Sequence, residues 1–247
     1  MSHKQFGLVG RNISYSFSKS YFTERFQKDN TQDCTYENFD IQEITDFPSI
    51  LKNNPDLVGL NVTIPYKETV IPFLNELSET AAKIGAVNVI KITKERKLIG
   101  HNSDCYGFKK ALEPLLEPHH KKALILGTGG ASKAVAFALE ELGISSAFVS
   151  RKASEKQISY DQIDASTFEN YHIIINSTPL GTSPNTEAFP KIPYEYFTPK
   201  HIAFDLIYNP AETQFLKKAK ANGAVIKNGL EMLVNQAEKA WEIWNES

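Results

Sequence analysis

The stretch KKALILGTGGASKAVAFALEELG, residues 121–143, decides the fold. An apolar run leads into Gly127, Gly129 and Gly130, and apolar residues then recur at helical spacing. This order predicts a buried strand, a tight turn and a helix whose N-terminal N–H groups can bind a pyrophosphate. The third fingerprint position is Ser132, where glycine or alanine is usual, and an ordinary strand-to-helix turn is the alternative.

The segments around this stretch alternate between strand-like and helix-like patterns. Downstream strands are predicted in SSAFVSR, YHIIINST, KHIAFDLIY and AVIKN, with a helix in AETQFLKKAKANG that ends at Gly223. Upstream strands are predicted in QFGLVG, TYENFDI and LVGLNVTI, and a hairpin in AVNVIKIT and KLIGHNSD. Upstream helices are predicted in YFTERFQKD, EITDFPSILKNN, ETVIPFLNEL and SETAAKIG. The alternation indicates an α/β protein with a parallel sheet covered on both faces.

The final segment, GLEMLVNQAEKAWEIW, is predicted to be an amphipathic helix. One apolar stripe must be buried against another element; it consists of Leu230, Leu233, Val234, Ala237, Trp241 and Trp244.

The tip of the second strand of the downstream half favours NADP over NAD. An acidic residue at this position binds the ribose hydroxyls of NAD, whereas a cation accommodates the 2′-phosphate of NADP. Here the strand runs into Ser150, Arg151 and Lys152, and arginine can also stack on an adenine ring. A surface pair of cations is the alternative interpretation.

Composition excludes several classes of protein. The chain of 247 residues has a net charge of -2, which argues against a nucleic-acid-binding surface. No run of about 18 apolar residues is present, so we expect no membrane span, and the N-terminus predicts no signal peptide. Two cysteines make a disulfide framework improbable. No H-E-x-x-H motif is present, so we expect no metal. We also expect a cytoplasmic protein.

Residues 59–69, GLNVTIPYKET, place a lysine just beyond a strand. Pro65 cannot donate to a sheet ladder and therefore marks the strand's end. Lys67 follows two residues later, and a solvated surface lysine is the simplest explanation of it.

Several motifs in order change that explanation, because together they resemble the shikimate dehydrogenase family over nearly the whole chain. GRNISYSFSK stands where the family has G-x-P-I-x-H-S-x-S-P, with Asn12, Tyr15 and Lys19 replacing the first proline, the histidine and the last proline. NVTIPYK is similar to N-V-T-x-P-[FY]-K, GAVNVI to G-A-x-N-T and GHNSDCYG to G-x-N-T-D-x-x-G. NSTPLG, DLIYNP and GLEMLVNQA follow in the family's order.

The resemblance implies a role for each matching residue. Lys67 and Asp104 are the implied catalytic pair. The implied substrate-binding residues are Ser16, Ser18, Asn61, Thr63, Lys67, Asn88, Asp104, Tyr208 and Gln236. With the glycine loop and the second-strand tip, the cofactor-binding set is Gly127, Thr128, Gly129, Gly130, Ala131, Ser150, Arg151, Lys152, Thr178, Leu206, Gly229 and, less strongly, Glu79.

The resemblance also implies the reaction, the reversible reduction of 3-dehydroshikimate to shikimate by NADPH, and the domain plan. Residues 1–102 are expected to form the substrate-binding domain, 103–228 a Rossmann-like NADP domain, and 229–247 a helix that packs back on the first domain, with the active site between the domains. The hydroxyls of Ser16, Ser18 and Tyr208 are the expected donors to the substrate carboxylate. We expect small-molecule substrates, no nucleic acid, no membrane, and a monomer or homodimer.

The sequence also bears on the motifs of other dehydrogenase families. Tyr15-x-x-x-Lys19 has the catalytic spacing of short-chain dehydrogenases, but it precedes the glycine loop instead of following it. Folate-linked dehydrogenases would need a tyrosine where Thr63 stands. The alternatives that stay open are a quinate/shikimate dehydrogenase that uses NAD and a non-catalytic dinucleotide sensor on the same fold.

Overall fold

The structure, a computed structural model, describes residues 3–14, 16–31, 33–151 and 157–246. The chain divides into two compact units, Met1–Ser103 with Ala237–Ser247 and Asp104–Gln236. The domain bounds expected from the sequence stay a prediction, and each unit is described by itself.

The first unit is built on a mixed six-stranded sheet. Its strands are β1 (Lys4–Gly10), β2 (Cys34–Asp40), β3 (Leu57–Val62), β4 (Glu76–Leu77), β5 (Val89–Ile92) and β6 (Leu98–His101), and its helices are α1 (Phe17–Lys28), α2 (Phe47–Asn53) and α3 (Glu79–Ile84). The sheet order is β2-β1-β3-β5-β6-β4. Strands β1, β2 and β3 are parallel, and β5 and β6 form the expected antiparallel hairpin.

The helix predicted in ETVIPFLNEL is wrong. That segment forms a single 3-10 turn, Ile71–Phe73, followed by β4. Pro72 has no N–H to continue a helix. Asn75 is bound to β6 instead, because its N–H donates to the Leu98 carbonyl at 2.9 Å and its side-chain oxygen accepts from the Leu98 N–H at 2.8 Å. Pairing with the hairpin therefore overrides the helical pattern.

Aromatic residues form much of the core of the first unit. The Phe6 ring lies 5.4 Å from that of Trp241 and 4.9 Å from that of Trp244. The indole of Trp244 donates to the Ile90 carbonyl at 3.1 Å. A Cβ on Gly59 would lie 2.5 Å from the same indole, so the glycine makes room for this ring.

The second unit is built on a six-stranded parallel sheet. Its strands are β7 (Lys122–Leu126), β8 (Ser145–Ser150), β9 (Gln157–Ser159), β10 (Ile173–Asn176), β11 (Ile202–Asp205) and β12 (Val225–Lys227), and its helices are α4 (Asp104–Leu112), α5 (Gly130–Glu141), α6 (Ala165–Asn170) and α7 (Gln214–Ala221). The order is β12-β11-β10-β7-β8-β9, and every pair is parallel. The predicted α/β class and Rossmann-like sheet are confirmed.

The last helix, α8 (Leu230–Asn245), begins in the second unit and ends in the first. Its Ala237 and Trp244 are buried in the aromatic core of the first unit, with Trp241 packed against them. Leu230 was predicted to share the buried stripe, and this is wrong, since 46% of its surface is exposed. It occupies the first helical position, before the part of α8 that enters that core.

Four histidines meet where strands of the second sheet begin, and we call them the histidine cluster: His119, His120, His172 and His201. Ring centroids lie 4.1 Å apart for the first pair, 5.2 Å for His119 and His172, and 5.3 Å for His172 and His201. Burial lowers the pKa of His120 and of His172 below the ordinary histidine value. The cluster lies at the amino ends of β7, β10 and β11, and the glycine loop follows the carboxyl end of β7.

Three further observations concern the described part of the chain. Neither Cys34 nor Cys105 is part of a disulfide. In the ranges given above, no helix is long and apolar enough to cross a membrane. Nor do the described side chains include a group of three or more histidines, cysteines or acids placed to hold a metal ion.

Candidate functional site

The loop that follows β1 has a backbone shape that a proline could not adopt. Asn12 has φ 56°, in the left-handed region, and the proline ring fixes φ near −65°. The Asp40 carboxylate at the end of β2 accepts from the N–H of Asn12 at 2.9 Å and from that of Ile13 at 3.2 Å. The loop is thus held by a carboxylate and two backbone donors, at the position where the resembled family has its proline.

The two predicted serines lie where this loop enters α1. Ser16 is the N-cap of α1, and its Oγ accepts from the Ser18 N–H at 3.2 Å. Ser18 is half-buried and lies near the phenol of Tyr36, whose pKa it lowers against the larger effect of burial. Position 15, between them and the β1 loop, lies outside the described residues.

A chain of buried hydrogen bonds connects β2, β3 and the start of β5. Tyr36 donates from its hydroxyl to Asn61 Oδ1 at 2.7 Å, and Asn61 Nδ2 donates to the Asn88 carbonyl at 3.3 Å. The Asn88 side chain in turn accepts from the Ser103 N–H at 2.7 Å and donates to Ser103 Oγ at 3.0 Å. The structure therefore brings the predicted residues Asn61 and Asn88 together.

Two members of this chain, Tyr36 and Ser103, were not predicted from the sequence. Both are buried, with 3% and 0% of their surface exposed. A signal was available for Tyr36, because a tyrosine in a buried strand position needs a partner for its hydroxyl. The identity of that partner depends on strand pairing and could not be read from the local pattern.

The segment with the predicted catalytic lysine forms a tight turn beyond β3. The Thr63 carbonyl accepts from the Tyr66 N–H at 2.9 Å, and the buried Tyr66 hydroxyl donates to the Ile41 carbonyl at 2.7 Å. The carbonyl of Lys67 accepts from the Val87 N–H at 2.7 Å, and its side chain is half-buried. The backbone of Lys67 is therefore fixed on two sides, as a positioned ammonium group requires.

Glu79 is the one predicted cofactor residue that belongs to the first unit, and its side chain is exposed. It opens α3, and its carboxylate pairs on the surface with Lys83 at 2.7 Å. This ion pair lowers the pKa of Glu79. An ordinary i,i+4 pair accounts for its geometry, so its role toward the cofactor stays a prediction.

In the second unit, the predicted cofactor residues lie along the carboxyl edge of the sheet. Strand β7 lies between β8 and β10, so the chain continues from β7 to one side of the sheet and later returns to the other side. Ligands of open α/β sheets bind at such a switch point. Gly127 follows β7 directly with φ 110°, which favours glycine. A Cβ there would lie 2.9 Å from Ser177 Oγ, beyond the end of β10.

The turn after β7 leaves the N-terminus of α5 accessible to an anion. The N-cap is Gly129, which has no side chain to cap the helix, and a Cβ built on it meets nothing within 4 Å. Ser132 is buried, and its hydroxyl donates back to the Gly129 carbonyl at 2.6 Å. The Ser132 hydroxyl, at the third fingerprint position, thus has its hydrogen-bond partner within the loop. The loop fits the pyrophosphate of a dinucleotide.

The tip of β8 supplies the predicted contacts to a 2′-phosphate. Ser150 is the last residue of β8 and is half-buried, and Arg151, which follows it, is exposed. Lys152 lies outside the described residues, so its predicted role remains a prediction. Neither Ser150 nor Arg151, the described residues of this tip, is acidic, and a cation next to a hydroxyl suits a phosphate better than a pair of ribose hydroxyls.

Thr178, Leu206 and Gly229 follow β10, β11 and β12. The Thr178 hydroxyl donates to Asn176 Oδ1 at 2.7 Å, which orients it at the strand end. Gly229 is packed so closely that a Cβ would collide with the Leu206 carbonyl oxygen. The Gly229 N–H also donates to the Ile207 carbonyl at 3.0 Å. These contacts hold the segments after β11 and β12 together at the carboxyl edge.

Three predicted substrate residues belong to the second unit. Asp104 is the first residue of α4 and is buried, with 6% of its surface exposed, where the positive end of the helix favours a carboxylate. Tyr208 is half-buried. Gln236 lies on α8 with 9% exposed and donates to the Leu233 carbonyl at 2.9 Å. Lys67 belongs to the other unit.

Comparison with known proteins gives matches over nearly the full length. The family description "Shikimate dehydrogenase substrate binding domain" matches residues 8–90. The protein named shikimate dehydrogenase (NADP(+)) from Clostridium botulinum strain Hall is 36% identical over 249 residues, which cover 96% of this chain and 95% of that protein. A protein of the same name from Methanosphaera stadtmanae is 36% identical over 257 residues, covering 96% and 90%.

Solved structures agree with the sequence matches. The crystal structure of shikimate 5-dehydrogenase from Thermus thermophilus in complex with NADP(H) and shikimate superposes with a TM-score of 0.86. The identity is 31%, and the match covers 98% of this chain and 93% of that one. The resemblance found in the motifs is confirmed by these matches, and the chain belongs to the shikimate dehydrogenase family.

Proposed function

We propose that this chain catalyses the reversible, NADPH-dependent reduction of 3-dehydroshikimate to shikimate, a step of aromatic amino-acid biosynthesis. One observation carries the proposal: the carboxyl edge of the second sheet suits NADP, and the same chain has the ordered lysine, asparagine and aspartate motifs of the family. Its relatives over 96% of its length are named NADP-dependent shikimate dehydrogenases. The protein is accordingly an oxidoreductase acting on an alcohol.

Lys67 and Asp104 are the proposed catalytic pair. During reduction, the ketone oxygen of the substrate becomes an alkoxide that must gain a proton. The Lys67 ammonium stabilises that charge and donates the proton, and in the reverse direction the neutral amine accepts it. Asp104 accepts a hydrogen bond from a ring hydroxyl in this proposal and so orients the substrate.

Neutral groups orient the substrate in this proposal. Asn61 and Asn88 are buried amides with fixed partners, so their geometry is set before substrate arrives. Hydroxyls serve the carboxylate without the desolvation cost of a buried cation. The remaining substrate contacts are assigned to Ser16, Ser18, Thr63, Tyr208 and Gln236.

NADPH, when bound, supplies the hydride. The uncapped N-terminus of α5 binds the pyrophosphate, and Arg151 pairs with the 2′-phosphate that distinguishes NADP from NAD. The absence of an acid at the β8 tip is what favours NADP. The segments after β10, β11 and β12 are assigned to the nicotinamide end through Thr178, Leu206 and Gly229.

Two finer expectations belong to the same proposal. We place the enzyme in the cytoplasm, and we expect a monomer or a homodimer in solution. Size-exclusion chromatography with light scattering measures the second directly. A larger assembly would contradict it.

The test is a spectrophotometric assay of the purified protein with shikimate and NADP, in which absorbance of the reduced nicotinamide rises. Removal of a general acid–base group typically costs about 10²–10⁴-fold in rate, and we expect a fall of this size in Lys67→Ala. Lys67→Arg keeps the charge but exchanges its proton poorly, so it should recover affinity for shikimate without recovering turnover. Lys97→Ala, which removes an exposed lysine of the same unit, is the matched control and should retain activity.

The alternatives give different results in the same assay. Turnover restricted to quinate with NAD would refute the specificity and cofactor assignments. Binding of NADP without turnover on any substrate would indicate a dinucleotide sensor. Full activity of Lys67→Ala would remove the lysine from the chemistry.

A further inference from the structure

Tyr36 carries a hydroxyl that the proposed chemistry does not use. The residue lies in β2 with 3% of its surface exposed, and its ring stacks on Phe22 at 4.8 Å between centroids. Phenylalanine would fill the same space, so packing alone does not account for a buried phenol. Burying a hydroxyl costs free energy unless it is hydrogen-bonded, and here it donates to Asn61.

The direction of each hydrogen bond in this chain is fixed by its neighbours. The Asn88 carbonyl can only accept, so it must face Asn61 Nδ2, and Asn61 Oδ1 then faces Tyr36. The phenol therefore donates to Asn61. Burial raises the pKa of Tyr36, which keeps the phenol protonated and the direction constant.

An amide held in this way can only donate a hydrogen bond to a ligand. Asn61 Oδ1 is occupied by the phenol and one Nδ2 hydrogen by the Asn88 carbonyl. The second Nδ2 hydrogen is a donor, so a substrate oxygen that meets Asn61 must accept. Without the phenol, the amide oxygen would be left buried and unpaired, and only the Asn88 carbonyl would hold the amide in its orientation.

We propose that Tyr36 is a positioning residue for the substrate, which acts by fixing Asn61 as a hydrogen-bond donor. This inference rests on the proposed function, because it assigns Asn61 to shikimate. It adds Tyr36, which lies outside the matched motifs, and it identifies Nδ2 of Asn61 as the donor to the substrate.

The test is Tyr36→Phe, studied by isothermal titration of shikimate and by steady-state kinetics with NADP. We expect the Kd and KM for shikimate to rise about tenfold, the size typical of leaving a buried acceptor unpaired. The KM for NADP should not change, and kcat should stay within about twofold, because orientation in the ground state and in the transition state is lost equally. Tyr21→Phe is the matched control, since it removes a phenol of the same unit that donates to Glu238 instead.

A double-mutant cycle separates positioning from a general loss of stability. If Tyr36 acts through Asn61, then Tyr36→Phe should add little to the effect of Asn61→Ala on shikimate binding. Asn61→Asp is a second variant that leaves the phenol intact, keeps its acceptor and loses the donor, and it should weaken shikimate binding as strongly as Asn61→Ala.

The outcomes are distinguishable from failure of the proposed function. A wild-type protein that neither binds nor oxidises shikimate refutes that function and the inference with it. An active wild type whose Tyr36→Phe variant binds shikimate as tightly as Tyr21→Phe refutes the inference alone. Full additivity with Asn61→Ala, or unaltered binding by Asn61→Asp, does the same.

Discussion

Asp205, the last residue of β11, offers a quantitative test of how the second unit tolerates a buried charge. None of its surface is exposed. One carboxylate oxygen accepts from Asn176 Nδ2 and from the Ile207 N–H, both at 3.0 Å, and the other accepts from the Thr213 hydroxyl at 2.5 Å. These donors favour the carboxylate, yet burial outweighs them and raises the pKa of Asp205 to about 6.

The sign of the effect follows from this rise. Between the ordinary aspartate pKa of 3.8 and about 6, the folded state binds more protons than the unfolded state, so stability from this group falls as the pH rises. A shift of about two units corresponds to roughly 3 kcal/mol at neutral pH. Between about pH 7.5 and about pH 5, roughly 1.5 kcal/mol of that cost is recovered.

Asp205→Asn removes the titration and keeps an oxygen for the two N–H donors. We expect the stability of wild type relative to this variant to increase by roughly 1.5 kcal/mol on going from about pH 7.5 to about pH 5. Subtracting the two curves cancels the other titrating groups. Urea unfolding must be followed by hydrogen exchange of β10 and β11 amides, because both tryptophans lie in the first unit.

A difference between the two curves that does not change with pH would refute the reasoning. Thr213→Ser, which retains the hydroxyl donor, should behave as wild type in the same measurement. A pH dependence of the opposite sign would mean that the three donors outweigh burial.

Three further predictions concern single features. Asn12→Pro should weaken shikimate binding measured by titration, because proline cannot adopt φ 56° and has no N–H for Asp40, and unaltered binding would contradict the loop geometry. Gly229→Ala should separate its backbone from that of Leu206 and raise the KM for NADP by about tenfold or more, whereas an unchanged KM would show that the collision is relieved elsewhere. Acid should destabilise the second unit through His120 and His172, because their lowered pKa makes the unfolded state bind more protons than the folded state as the pH falls below about 6.5, and His172→Asn should reduce this loss in hydrogen exchange.

The features that follow from local pattern were predictable from the sequence. The glycine loop, β7 and α5 are determined by residues adjacent along the chain, and the ordered motifs identified Asn61 and Asn88 before their contact was seen. The segment around Pro72 was not predictable, since its pairing with β6 depends on a hairpin that follows it.

The orientation of side chains over long sequence distances was also beyond the pattern. Tyr36 reaches Asn61 across 25 positions, and no periodicity reports such a contact. The left-handed conformation of Asn12 depends on Asp40, 28 residues away. Motifs therefore indicated which residues matter, and the fold was needed to show what holds them in place.

The division of α8 between the two units has a consequence for synthesis on the ribosome. Residues from Ala237 onward complete the aromatic core of the first unit, but they leave the ribosome after the whole of Asp104–Gln236. The first hundred residues therefore emerge with Phe6 and its neighbours lacking Trp241 and Trp244 as packing partners. The second unit is continuous in sequence and can fold as it emerges, so the order of folding is expected to reverse the order of translation.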